Sequence, residues 1–148
     1  MIPKQIVIHH SASRPHTSVA EINEWHKVRG FTLSSLNFYV GYHYVILFDG
    51  SVIQTRRDNE IGCHTIPNEG KIGICLTGNF MTDIPTSDQI VSLTALTNKL
   101  KIMYNIKEVY GHRDFSNTEC PGDNLYIWVL QQKISWLKYL INLILKRL

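Results

Sequence analysis

Apolar positions along the chain follow two periods. Residues 5–9, Gln-Ile-Val-Ile-His, and residues 71–77 are short, nearly continuous apolar runs. Such runs are expected of strands buried on both faces. Tyr42 to Phe48 and Ser51 to Thr55 are β-rich, and Asp49-Gly50 between them is a hairpin signal. Ile106 to Tyr110 gives one more strand, ending in Gly111-His112. Two stretches carry the helical period. Ser18 and Glu21 have capping-box spacing, so a helix opens at Ser18. Val19, Ile22 and Trp25 or His26 fall on its inner side, and Gly30 stops it. Thr86 and Gln89 repeat the cap, and Ile90, Leu93, Leu96, Leu100 and Met103 form the apolar face behind it. Pro121-Gly122 turns the chain into a final helix reaching about Lys146. The order β-α-β-β-β-α-β-α predicts a single α/β domain, with a central mixed β-sheet flanked by helices.

The final helix departs from an ordinary amphipathic pattern. Gln131, Ser135, Lys138, Asn142 and Lys146 make one narrow polar stripe, and nearly everything else is apolar or aromatic. Ile127, Leu130 and Ile134 are expected to pack on the sheet. Trp136 to Leu148 is longer and more apolar than that role needs. Core burial, a weak dimer contact and an interfacial helix on an anionic membrane surface are the open alternatives. Lys138 and Asn142 argue against a spanning helix. The domain accordingly divides into a core, residues 1–125, and a C-terminal cationic amphipathic helix, residues 126–148.

Composition sharpens this picture. With 148 residues, the chain can bury about 70% of its unfolded surface. It is 44% apolar and 18% charged, which excludes a disordered or low-complexity protein. The net charge of +3 is too small to argue for nucleic acid. Residues 124–148 hold four cations, Lys133, Lys138, Lys146 and Arg147, and no acid, which leaves −1 for residues 1–123. Three cysteines, Cys63, Cys75 and Cys120, do not form a disulfide framework. The first ten residues lack a signal-peptide pattern, so a cytoplasmic location is expected.

Three features suggest chemistry: His9-His10 at the end of the first strand, His112 at the end of the last, and Cys120 eight residues later. Strand ends are where α/β folds place their sites. Imidazole and thiolate are natural zinc ligands, and a three-ligand set leaves a fourth position for water. The same residues also have plain structural readings as a buried strand end, a turn residue and a small core residue, and spacing alone leaves both open. His43 is expected to face away from Tyr42, His16 and His26 to lie at the surface, and Arg113-Asp114 to form a local pair.

The motifs go further. Ile6-Val-Ile-His-His-Ser-Ala-Ser13, Gly41-Tyr42-His43-Tyr44, Ile61-Gly-Cys-His64, Ile72-Gly-Ile-Cys-Leu-Thr-Gly-Asn-Phe80, and Gly111-His-Arg-Asp114 through Thr118-Glu-Cys-Pro-Gly122 occur in this order. Together they resemble the zinc-dependent N-acetylmuramoyl-L-alanine amidases of the phage-lysozyme and peptidoglycan-recognition-protein type. The resemblance implies one Zn2+ held by His9, His112 and Cys120. It implies an active-site tyrosine at Tyr42 and a histidine lining the substrate groove at His64, with Asn79 beside the groove. Thr118 stands where the phage enzymes carry a catalytic lysine and the amidase-active recognition proteins a threonine. The implied activity is hydrolysis of the bond between muramic acid and L-alanine in bacterial peptidoglycan. An endolysin waiting in the cytoplasm and acting on the wall after release fits best. A non-catalytic peptidoglycan-binding module and a cytoplasmic muropeptide-recycling amidase are the alternatives.

Overall fold

The computed structural model describes residues 1–145; Lys146 and Arg147, members of the predicted polar stripe and basic set, lie outside them. Five strands form one mixed sheet: β1 (Gln5–His10), β2 (Tyr44–Ile46), β3 (Val52–Gln54), β4 (Lys71–Leu76) and β5 (Val109–Gly111). Their order across the sheet is β3-β2-β4-β1-β5. β1, β2, β4 and β5 run parallel, and β3 pairs antiparallel to β2 at one edge. Three helices complete the fold: α1 (Val19–Val28), α2 (Ser87–Tyr104) and α3 (Asp123–Leu145). The predicted element order is the observed one.

Strand alternation explains the two faces of the sheet. On one face Ile6, Ile8, Ile72, Ile74 and Leu76 join Leu93 and Leu100 of α2 and Leu125, Trp128 and Val129 of α3 in the main core. The opposite face presents Val7, His9, Gly73 and Cys75, in register as Val7↔Gly73 and His9↔Cys75. Here Ile22 of α1 packs with Val40 and Val45 in a smaller core.

Both predicted capping boxes form. Ser18 accepts from the Glu21 N–H at 3.3 Å and Thr86 from the Gln89 N–H at 3.1 Å, each with the reciprocal bond. The Asp49-Gly50 turn closes the hairpin, with the Asp49 carboxylate accepting from the Ser51 N–H at 2.9 Å. The hairpin strands are shorter than predicted, because residues 41–43 turn toward the site before β2 begins.

Four expectations are corrected. Of the two inner-side candidates, Trp25 is exposed and His26, also read as a surface residue, is 5% exposed, since it sits four residues after Ile22 on the buried stripe of α1. Met103 is exposed near the end of α2, and the polar Gln89 and Thr97 are buried instead. Ile127, Leu130 and Ile134 are exposed; Leu125, Trp128 and Val129 pack inward. Both stripes of α3 are apolar, so periodicity could not choose between them; the chain's entry at Gly122 sets the rotation. Beyond Trp136 the described apolar side chains of α3, including Leu137, Ile141 and Ile144, are exposed, which excludes core burial for them. Among the described residues no helix is long and apolar enough to cross a membrane.

Candidate metal centre and cleft

Parallel pairing brings residues a hundred positions apart to one rim of the sheet. Ile8 lies opposite Gly111, so His112 emerges just past β5 beside His9. The His9 and His112 ring centroids are 4.7 Å apart. A 3-10 turn, His112–Asp114, follows, and the Arg113 N–H donates to the Cys120 carbonyl at 2.9 Å. That bond returns Cys120 to the same rim, with its Sγ 3.6 Å from His9 Nδ1. One candidate ligand atom from each of His9, His112 and Cys120 falls within 4.8 Å of the other two.

The electrostatics suit a cation here. Burial holds His9 well below its ordinary value, reinforced by the neighbouring His64, His112 and His10. Burial also lowers His112 and pushes the Cys120 thiol up to about 12. Two neutral imidazoles therefore face a buried thiol whose ionisation calls for a nearby positive charge. This is a nitrogen and sulfur donor set of the kind zinc takes. Tetrahedral bonds of 2.0–2.3 Å put ligand atoms about 3.5 Å apart, and the Sγ to Nδ1 separation matches that.

Beside the three lies a cleft of about 400 Å³ whose lining includes His9, His26, Arg29, Tyr42, His64 and His112. The Tyr42 ring is 5.0 Å from that of His9, and burial, with Cys75 and Cys120 nearby, holds its phenol well above the ordinary value. The His26 ring lies 5.3 Å from that of Tyr42, and its Nδ1 accepts the Gly41 N–H at 2.9 Å. Asn68 accepts the N–H groups of His64 and Thr65, both at 2.8 Å. Thr118 sits at the Cys120 loop rather than in the cleft lining, and its Oγ1 accepts the Cys120 N–H at 3.3 Å. Asn79 is not brought to the cleft; its Oδ1 accepts the Met81 N–H at 3.2 Å within its own turn.

His43 is fully buried and lies on the site side, 5.6 Å from the His64 ring: alternation back from Tyr44 in the main core and Val45 in the smaller one puts it there, and Tyr42, in the bend before β2, is the residue out of alternation. His10 points into the opposite core and accepts the Phe80 N–H at 3.2 Å. Arg113 and Asp114 do not pair with each other: Arg113 binds Asp123 and Asp114 binds Lys133, at 2.7 and 2.8 Å. His16, as expected, is exposed. Sequence reasoning missed His26, Arg29 and Asn68. The spacing of His26 from Ile22 was the one available signal; the other two are set by loop geometry.

These histidines make stability pH-dependent. Burial lowers His10 and His26 to about 4 and His64 to about 3. Between those values and the ordinary 6.5 the unfolded chain binds more protons, so stability is complete above 6.5 and is lost as pH falls through this window. Metal-free protein is expected to lose about 1–2 kcal/mol per buried histidine between pH 7 and pH 5. Urea titrations at the two pH values check this; equal midpoints would contradict it.

The chain belongs to the family described as N-acetylmuramoyl-L-alanine amidase, whose model matches residues 1–123. The mixed sheet with three helices is that family's fold. Peptidoglycan-recognition protein SC2 of Drosophila melanogaster is 35% identical over 126 residues, covering 81% of this chain and 68% of that protein. The endolysin of Klebsiella phage KP32 is 31% identical over 137 residues, covering 84% and 83%. Among solved structures, N-acetylmuramoyl-L-alanine amidase LysC from Clostridium intestinale URNW superposes with a TM-score of 0.76 at 36% identity, covering 83% of this chain and 78% of that one.

Proposed function

We propose that this chain is a zinc-dependent amidase that cuts the bond between muramic acid and L-alanine in peptidoglycan, in the manner of an endolysin released onto the wall. The supporting observation is the convergence of His9 Nδ1, His112 and Cys120 Sγ beside an open cleft. Zinc held there supplies Lewis-acid polarisation of a carbonyl and acidifies a water molecule. The chain's own groups do the rest. Tyr42, with its phenol held protonated, donates a hydrogen bond to the oxyanion that develops on the scissile carbonyl. Thr118 Oγ1 accepts from the Cys120 backbone, which leaves its own proton available for one more hydrogen bond. Arg29, the one Lys or Arg among the described lining residues, attracts the carboxylates of a stem peptide. A binding module without catalysis has no use for a buried thiol aimed at two neutral imidazoles, which favours the enzyme.

Purified insoluble peptidoglycan tests this. The expected products are intact stem peptides with free N-terminal alanine and no new reducing sugar ends, read by mass spectrometry. Binding without cleavage would make the chain a recognition module. Cleavage of soluble muropeptides alone would make it a recycling enzyme.

The second half of α3 has a separate role in this proposal. Its exposed apolar side chains, with cations and no acids in residues 124–148, suit an anionic lipid surface. Cosedimentation with phosphatidylglycerol vesicles, lost when the chain is cut before Trp136, is the expected result. Equal binding by the shortened chain would contradict it, and a concentration-dependent dimer in solution would assign the face to a second copy.

A further inference from the structure

We propose that His64 is a positioning residue for the metal centre rather than a substrate-binding one: it fixes the proton of His9 on Nε2 and so presents the Nδ1 lone pair toward Cys120. The inference rests on the metal-site reading above and deepens it.

The chain of contacts allows one proton arrangement. His64 Nε2 faces the Lys71 carbonyl oxygen at 3.4 Å, and a carbonyl only accepts, so Nε2 carries the proton. The neutral His64 ring then has its lone pair on Nδ1. That nitrogen lies 3.0 Å from His9 Nε2, so His9 Nε2–H donates to it. His9 is left with a lone pair on Nδ1, the atom 3.6 Å from Cys120 Sγ. A histidine ligand with its other nitrogen held by a hydrogen bond is the arrangement that fixes tautomer and ring orientation at metal sites.

The fold has built a slot for this ring. His64 is only 8% exposed. It lies over Gly73, where an added Cβ would come 2.7 Å from both Cγ and Cδ2 of His64. At Gly62 an added Cβ would come 2.5 Å from the same Cδ2. Two glycines thus admit the ring to the sheet surface. Below it, His43 is locked in turn: Nδ1 accepts the Gly73 N–H at 3.0 Å, and Nε2–H donates to the Glu60 carbonyl at 3.0 Å. A residue serving only to touch substrate needs neither the slot nor the carbonyl behind it.

The test measures zinc affinity by competition with a chromogenic chelator, using the full chain. His64→Phe keeps a ring but removes the acceptor and is expected to weaken zinc binding about 10–100-fold. His64→Gln can accept from His9 and donate to Lys71, and is expected to recover most of that loss. At saturating zinc, KM for soluble muropeptide should move less than zinc affinity does. Gly73→Ala, which leaves His64 in the chain but displaces its ring, is expected to weaken zinc as well. Zinc affinity unchanged in His64→Phe, with KM raised, would overturn the inference and return His64 to the substrate. A parent chain that binds no zinc would overturn the metal site itself, and the inference with it.

Discussion

Cys120→Ser is expected to empty the metal centre and stop amide hydrolysis while leaving the fold intact. The thiol is buried, and its backbone is held independently of it, by the Arg113 N–H on its carbonyl and by Thr118 Oγ1 on its N–H. Serine keeps those bonds and nearly the same volume. It cannot supply a thiolate, and its hydroxyl is a poor zinc donor. Metal catalysis of this kind contributes several kcal/mol to the barrier, so a loss of about 10³-fold in rate is expected. Zinc per chain, circular dichroism and the rate on muropeptide separate the effects. An active, zinc-loaded serine variant would remove Cys120 from the ligand set.

Gly122→Ala is expected to give the largest loss of stability among single methyl additions in the segment that carries the site. Gly122 has φ +88, and a Cβ there would come 2.4 Å from the Phe80 carbonyl carbon and 2.7 Å from Met81 N. Those are backbone atoms, fixed by the Asn124 N–H bond to the Phe80 carbonyl at 3.0 Å, and cannot move aside cheaply. A positive φ costs roughly 1–2 kcal/mol for alanine, and overpacking adds roughly 1–3 kcal/mol. Gly30→Ala is the control: φ is +76 there and nothing lies within 4 Å of the added Cβ. The expected fall in melting temperature is about 6–12 °C for Gly122→Ala and only a few degrees for Gly30→Ala. Equal shifts would mean that the close approach to Phe80 plays no part.

Much of the fold was legible because its signals are local. The capping boxes at Ser18 and Thr86 and the Asp49-Gly50 turn depend on neighbours three residues apart or fewer, and all three form. The apolar runs of β1 and β4 could be read because both sheet faces are covered. What failed depends on tertiary rotation. α3 offers two apolar stripes, and only its attachment at Gly122 selects Leu125 and Trp128 over Ile127 and Leu130. His26 carried two readings, inner side by its spacing and surface by its polarity, and the spacing, four residues after Ile22, is the one the fold follows.

The candidate site was legible in a different way. Nothing in the spacing joins His9 to His112, more than a hundred residues on; the β1–β5 pairing joins them, and the motif order anticipated it through resemblance to a family. The supports behind the site were not legible. His26 accepts the Gly41 N–H, and Asn68 those of His64 and Thr65 within its own loop, which no sequence period encodes.

In the proposed function, amide cleavage depends on a metal held by His9, His112 and Cys120. The most direct measurement is digestion of purified peptidoglycan by the untreated protein, by the chelated protein, and by the chelated protein after zinc is restored. Release of stem peptides with free N-terminal alanine should stop on chelation and return with about one zinc per chain. Undiminished release from a chain shown to be free of metal would contradict the account.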